Sequence, residues 1–337
     1  MSMQAAVEWR DDHLEVIDQT LLPGRLEVLK LTSSSDVVDA IARMVVRGAP
    51  AIGVCGGFGV VLGLDEGIPL ERLVVEIGSA RPTGANLRWA VERVARAAQD
   101  GRDRALDEAL TILREDREAC ERIGEFGRAE LASMRRVLTH CNTGRLATTG
   151  IGTALGIVYA KAAAGDEIEV VATETRPALQ GARLTAWELT QAGIPVTLIS
   201  DTAAGAALAS HRVDAVVVGV DRVARSGDFA NKVGTYALAV LARTSGLPFY
   251  AAGPMTSFDP AAVTGAEIPI EERSSDEVRR VGSAAIAPEV AVWNPAFDIT
   301  PAELVTAFIT DLGVLRPPFS VSIGDALQNL DRGTELP

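Results

Sequence analysis

The chain has 337 residues, 47% hydrophobic and 23% charged, a globular balance with enough length for two domains sharing a cleft. Its 45 acidic against 32 basic side chains give a formal net charge of -13, which excludes general affinity for nucleic acid or an anionic membrane. An anionic ligand must then be held by a local group of cations rather than by the overall field.

The first residues include Glu8, Arg10, Asp11 and Asp12 and lack the cationic start and apolar centre of a signal peptide, so a cytoplasmic location is expected. Residues 36–135 predict mostly helix. Asp36 is placed to cap a stretch carrying Val37, Ile41, Met44 and Val45, and Asn86 precedes Leu87, Ala90, Val91 and Val94 at helical spacing. The least charged run, Gly48 to Leu64, approaches membrane-span length, but its glycines and Pro50 predict a buried loop and helix instead. Arg102 to Arg136 alternates in sign, as a solvated helix face linking two domains would.

From Val137 the texture changes to short apolar runs separated by helical patterns. The runs Arg136–Cys141, Ile168–Thr173, Pro195–Ser200, Val213–Gly219 and Pro248–Ala252 predict a parallel sheet. Intervening segments such as Ala182–Gln191 and Thr235–Thr244 are long enough for crossover helices. Val290–Trp293 is expected to add a strand, and Pro301 to open a last helix. The expected organisation is α/β: a mostly helical N-terminal domain (1–130) contributing substrate-binding loops, a Rossmann-like catalytic domain (131–318), and a weakly ordered polar tail (319–337).

Ligands of open parallel sheets bind beyond the carboxyl ends of the strands. Reading each run to its end gives Cys141-Asn142-Thr143-Gly144, Glu174-Thr175-Arg176-Pro177, Asp201-Thr202, Asp221-Arg222 and Gly253-Pro254. Cys141 leaves its strand where backbone donors are free to be aimed at sulfur; the alternative is a buried inert thiol, kept here for Cys55 and Cys120. Asp221 ends the apolar run Ala215–Val220, where desolvation suits a proton donor and acceptor; the alternative is a structural cap or a pair with Arg222. Asp201 is expected to cap a helix, and Asp228 has less positional support.

Arg47-Gly48-Ala49-Pro50 and Arg81-Pro82-Thr83-Gly84-Ala85-Asn86 each precede a helix and predict two corners with free N–H groups for an anion. Lys232, beside Asn231, is a candidate cation for a phosphate. The three cysteines lack C-x-x-C spacing and read as thiols of a reducing compartment, and the three histidines lie too far apart for a local zinc site. Gly150-x-Gly152-x-x-x-Gly156 approximates a dinucleotide fingerprint, but eight residues from Asn142 separate it from the preceding strand.

Ile17-Asp18-Gln19-Thr20-Leu21-Leu22-Pro23, Arg47–Gly53, Arg81–Asn86, Thr139-His140-Cys141-Asn142, Glu174-Thr175-Arg176-Pro177, Gln180–Leu189, Gly227–Thr235 and Asn294-Pro295-Ala296-Phe297-Asp298 together resemble the methylthioribose-1-phosphate isomerases, over residues 8–316. The resemblance implies conversion of 5-methylthioribose 1-phosphate to 5-methylthioribulose 1-phosphate in methionine salvage, without metal or organic cofactor. It also implies a homodimer related to the initiation factor 2B regulatory subunits, with no nucleic-acid or membrane partner. By position, Cys141 and Asp221 match the catalytic pair, and Arg47, Gly48, Ala49, Arg81, Gln180, Asn231 and Lys232 the substrate-binding positions. Gly219-Val220-Asp221-Arg222 departs from the family's usual Gly-Ala-Asp-Arg, and Cys55-Gly56-Gly57-Phe58 differs from its usual small residues; both bear on the sugar's 5-substituent. The competing activities are isomerisation of 5-deoxyribose 1-phosphate or ribose 1,5-bisphosphate, and a non-catalytic regulatory subunit is the competing class.

Overall fold

The computed structural model describes residues 5–81 and 84–332. The chain opens with strands β1 (Val7–Arg10), β2 (His13–Ile17) and β3 (Val28–Leu31), an antiparallel sheet that the sequence reading did not predict. Four helices follow: α1 (Ser34–Ala42), α2 (Ala49–Asp65), α3 (Leu70–Ser79) and α4 (Ala85–Ala97). Asp36 is not the cap of α1. Ser33 is, its hydroxyl accepting the Asp36 N–H at 3.1 Å while the Asp36 carboxylate accepts the Ser33 N–H at 3.0 Å, so the two satisfy orphan donors reciprocally.

Helix α2 is buried on nearly every side, which explains its lack of charge; among the described residues no helix is long and apolar enough to cross a membrane. Helix α5 (Arg102–Glu130) begins in this first core through Ala105, Ala109 and Ile112 and ends in a second one through Ile123, its charged face outward.

Strand β4 (Arg136–Thr139) then starts a large sheet. It leads through α6 (Ala154–Ala163) to β5 (Glu169–Thr173), through the wide turn Gly181–Thr185 and α7 (Ala186–Gln191) to β6 (Val196–Ile199), and through α8 (Ala204–Ala209) to β7 (Ala215–Gly219). A short excursion, β8 (Arg222–Val223) and β9 (Phe229–Lys232), precedes α9 (Thr235–Thr244) and β10 (Phe249–Ala252). An irregular stretch holds α10 (Ser275–Arg279), β11 (Arg280–Val281) and β12 (Ala284–Ala285), and the chain ends with β13 (Phe297–Thr300), β14 (Ala307–Thr310), β15 (Gly313–Leu315) and α11 (Phe319–Arg332).

The large sheet has the order β15-β14-β10-β7-β4-β5-β6, parallel except for β15. It is buried on both faces: Val216 and Val218 of β7 join one hydrophobic cluster, and Ala215 and Val217 the other. A smaller antiparallel sheet, β13-β9-β8, carries Asn231 and Lys232 to the large sheet's carboxyl edge.

Three further expectations fail. Val290–Trp293 forms no strand and lies at the surface, with Trp293 81% exposed; the place beside β10 goes to β14, whose four residues are all buried. Pro301 opens only the single turn Ala302–Leu304, because the buried run from Ala307 draws the chain into that strand. The segment from 319 is not weakly ordered up to Arg332: it forms α11, whose Phe319, Ile323 and Ala326 sit at helical spacing on one buried face. Residues 333–337 lie outside the described residues.

Candidate active site

The strand order reverses between β4 and β7, one leading towards β5 and β6 and the other towards β10 and β14. Loops from the two strands must therefore part there, which leaves a crevice beyond their carboxyl ends. Cys141 comes two residues after β4, and Asp221 two residues after β7. Both line one cavity.

Cys141 turns the chain in the left-handed region, at φ 65°, and two hydrogen bonds hold it there. Its N–H donates to Thr175 Oγ1 at 2.9 Å, and its carbonyl accepts from Thr185 Oγ1 at 2.6 Å. His140, one residue earlier, is wedged between Thr173 Oγ1 at 2.6 Å and the Val233 carbonyl at 2.9 Å. The carbonyl can only accept, so Nε2 carries the hydrogen; burial lowers the imidazole's affinity for a second proton.

Asp221 is fixed through its N–H, which donates to the Ala230 carbonyl at 2.9 Å. Its side chain is partly open to the cavity but otherwise enclosed. Burial pushes its carboxyl up, and Lys232, Arg81 and Arg47 pull the other way. The buried Lys232 ammonium donates to the Ala296 carbonyl at 2.8 Å and lies 4.8 Å from the Phe297 ring centre. Burial lowers it, opposed by Cys141 and Asp221. Arg47 donates to Asn142 Oδ1 at 3.2 Å and approaches Cys141 Sγ at 3.5 Å. Arg81 stands 3.7 Å from Glu271. These cations are the local positive group that an acidic chain needs to hold an anion.

All nine site residues expected from the sequence line this cavity: Arg47, Gly48, Ala49, Arg81, Cys141, Gln180, Asp221, Asn231 and Lys232. Gly48 begins α2 at φ 94°, and a Cβ there would fall 2.3 Å from the Ala147 carbonyl oxygen, so only glycine allows this approach between the helix and the loop after β4. The free donors expected at that helix start are fewer than predicted. Pro50 has none and the Ala51 N–H is taken by Ala147 at 3.3 Å, which leaves Ala49. At the second corner Arg81, Gly84 and Ala85 line the cavity, while Pro82 and Thr83 lie outside the described residues.

Other strand-end candidates serve the frame. Asp201 does not cap the helix after it but accepts the Thr175 and Arg176 N–H groups at 2.8 and 2.7 Å. Arg176 donates to the Val278 carbonyl of α10 at 2.8 Å, and Asp228 accepts the Gly265 and Ala302 N–H groups, both at 3.0 Å. Burial raises Cys55 and Cys120, and neither lines the cavity. Gly150 and Gly156 pack on α5 and Gly152 on Gly144, so these glycines serve close packing between the loop after β4, α5 and α6. Among the described residues no group of three or more His, Cys, Asp or Glu side chains is gathered as a metal site would need.

Sequence reasoning gave Asn142 only as part of a strand end, and missed Arg273 and Glu277 as wall residues. Arg273 comes from the irregular stretch after β10, donates to Glu271 at 2.8 Å and Glu277 at 2.6 Å, and lies 3.5 Å from Met44 Sδ. No periodicity marks that stretch.

A thiol, a desolvated carboxyl and a ring of cations at the reversal point of a doubly wound sheet define a two-part α/β protein with a site for a small anionic molecule. The chain belongs to the initiation factor 2 subunit family, whose model matches residues 46–317. A methylthioribose-1-phosphate isomerase of Desulforudis audaxviator is 50% identical over 339 residues, covering 96% of each chain. A 5-deoxyribose 1-phosphate isomerase of Moorella thermoacetica is 47% identical, covering 97% of this chain and 99% of its own. Among solved structures, 5-methylthioribose 1-phosphate isomerase from Pyrococcus horikoshii superimposes with a TM-score of 0.90 at 41% identity, over 97% of this chain and 96% of that one. A structure described as translation initiation factor eIF-2B, subunit delta, from A. fulgidus matches with a TM-score of 0.86 at 42% identity, over 97% and 100%.

Proposed function

We propose that this protein is an aldose–ketose isomerase that converts 5-methylthioribose 1-phosphate into 5-methylthioribulose 1-phosphate, a step of methionine salvage, with Cys141 and Asp221 as its catalytic pair. What carries the reading is the meeting of these two residues with Lys232, Arg47 and Arg81 around one cavity, in a chain about half identical to an isomerase of that name. The protein is proposed to act as a cytoplasmic homodimer, with residues 1–130 and 131–318 as the two parts that close on the substrate.

An aldose 1-phosphate cannot isomerise while C1 is locked in the ring. Asp221, its carboxyl raised by burial, gives a proton to the ring oxygen as the bond from that oxygen to C1 breaks. The C2 hydrogen moves to C1, the C2 hydroxyl proton passes to Cys141 or back to the Asp221 carboxylate, and a ketone remains at C2 with the phosphate still on C1. Cys141 carries a proton or steers the transfer from the opposite strand end. Lys232, Asn231, Gln180, Arg47, Arg81 and the Gly48–Ala49 start of α2 hold the phosphate and hydroxyls, so that binding energy remote from C1 and C2 orients the reacting carbons.

The 5-deoxy sugar is the second reading, favoured by the M. thermoacetica relative and by Val220, which stands on the cavity wall where the family usually has Ala. Losing one apolar group from a substrate changes discrimination by only about 1–3 kcal/mol, so both sugars should react. Turnover by the purified protein on 5-methylthio-, 5-deoxy- and 5-phospho-ribose 1-phosphate is the test. The expected order is methylthio ahead of deoxy, with the bisphosphate poor. Best turnover on the bisphosphate would reverse the substrate assignment, and no turnover on any would favour a translation-factor subunit.

A further inference from the structure

Glu188, on α7, has no exposed surface at all, yet it is a carboxylate. It reaches beneath the loop that follows Cys141. Its Oε2 accepts the Arg145 N–H at 2.9 Å, and its Oε1 accepts the side-chain amide of Asn142. The loop closes so tightly over it that a Cβ on Gly144 would fall 2.1 Å from Oε1. The Arg145 guanidinium does not sit on the carboxylate but lies 4.6 Å from the Tyr159 ring centre, and the Tyr159 hydroxyl faces the carboxylate.

A carboxylate can only accept, so the Asn142 amide must turn its Nδ2 towards Glu188. Its Oδ1 then faces the other way, where Arg47 donates at 3.2 Å. The second Arg47 nitrogen is the one 3.5 Å from Cys141 Sγ. Asn142 Nδ2 also reaches Thr185 Oγ1 at 3.3 Å, the hydroxyl that donates to the Cys141 carbonyl at 2.6 Å. Two short hydrogen-bond paths thus run from one buried carboxylate to the two ends of Cys141.

We infer that Glu188 is a positioning residue: by fixing the orientation of the Asn142 amide it holds the Arg47 guanidinium against Cys141 in the cavity. This rests on the reading in which Cys141 takes part in the isomerisation. A neutral side chain would have been a cheaper way to fill the space, since burial pushes the Glu188 carboxyl up to about 7. The groups facing it from every packed element are the Asn142 amide, the Arg145 N–H and guanidinium, and the Tyr159 hydroxyl; of these, the arginine alone carries charge.

The test uses the full chain and two readouts: steady-state turnover of 5-methylthioribose 1-phosphate, and the rate of alkylation of Cys141 by iodoacetamide, resolved by peptide mass. Glu188→Gln should lower kcat about 10- to 100-fold, the scale on which residues that orient a functional group through hydrogen bonds act, with KM moving less. In the wild type, alkylation should show an extra fall as the pH drops through about 7, where Glu188 gains its proton, and Glu188→Gln should lack that inflection. Wild-type kinetics and an unchanged inflection in Glu188→Gln would overturn the inference. Should that variant fail to fold, Asn142→Ser keeps the carboxylate and removes the bridge. Loss of the inflection there supports the coupling, and its persistence refutes it. If the isomerase reading itself is wrong, the wild type turns over no substrate while the alkylation readout still reports whether Glu188 controls the surroundings of Cys141.

Discussion

In the proposed reaction two residues from neighbouring strand ends divide the proton chemistry, and single substitutions separate them. Cys141→Ser and Asp221→Asn preserve shape while removing the acid or base, so each should lower kcat by about 100- to 10,000-fold, the worth of a positioned proton-transfer group. Their thermal unfolding should match the wild type or, for Asp221→Asn, exceed it near neutral pH. Burial raises the Asp221 carboxyl, so its ionised form weakens the fold as pH rises above the unfolded value, and asparagine escapes that cost. Near-normal turnover in either variant would remove that residue from the mechanism. The placement of both on one cavity was legible in the sequence because each follows an apolar run, Val137–Leu138 or Ala215–Val220, at a strand end. Glu188 was not: between Trp187 and Leu189 it has the look of an ordinary helix residue, and its burial depends on a loop more than forty positions away, as does its bond to Asn142.

At the scale of elements, the sequence marks a segment well when its environment is uniform along its length. Strands β4, β5, β6, β7 and β10 are short apolar runs flanked by helices, and each formed where expected within a residue or two. Strand β14 was hidden because Pro301 and the following Ala-Glu-Leu mimic a helix start, and β1–β3 because their alternation spans only four or five residues each. Helix α11 was hidden by its polar composition, although Phe319, Ile323 and Ala326 form a stripe. The Phe319 ring meets Phe308 edge-on at 4.9 Å, and Phe308 in turn meets Phe258 at 5.6 Å, so α11 closes the core on one sheet face. Truncation after Pro318 should therefore cost roughly 3–6 kcal/mol, the burial of two large apolar side chains. Chemical denaturation would measure it, and an unchanged midpoint would mean that α11 adds nothing to that core.

Across the whole molecule, the site exists only because distant parts of the chain meet: Arg47 and Cys141 are 94 positions apart, and β9, which carries Lys232, is held by β13 near the far end. Local patterns gave the two sides of the cavity, one helical and one sheet-based, but not their contact, which depends on α2 fitting against the loop after β4 at Gly48. A chain of net charge -13 then has to bind a phosphate against its own field, and Lys232 is the cation most enclosed by the cavity wall. Lys232→Met should bring two opposite effects. Without ligand the variant should unfold at the same or a higher temperature, because burial lowers the ammonium, so its charged form weakens the fold at pH below the unfolded value, and a neutral side chain escapes that cost. With ligand the wild type should gain about 2.7 kcal/mol at a substrate concentration a hundred times Kd, and the variant much less. Inorganic phosphate is the simplest probe in thermal unfolding, since it lacks the sugar and reports the anion contact alone. Equal phosphate-induced shifts in both proteins would move the phosphate away from Lys232 and towards the arginines of the helical side.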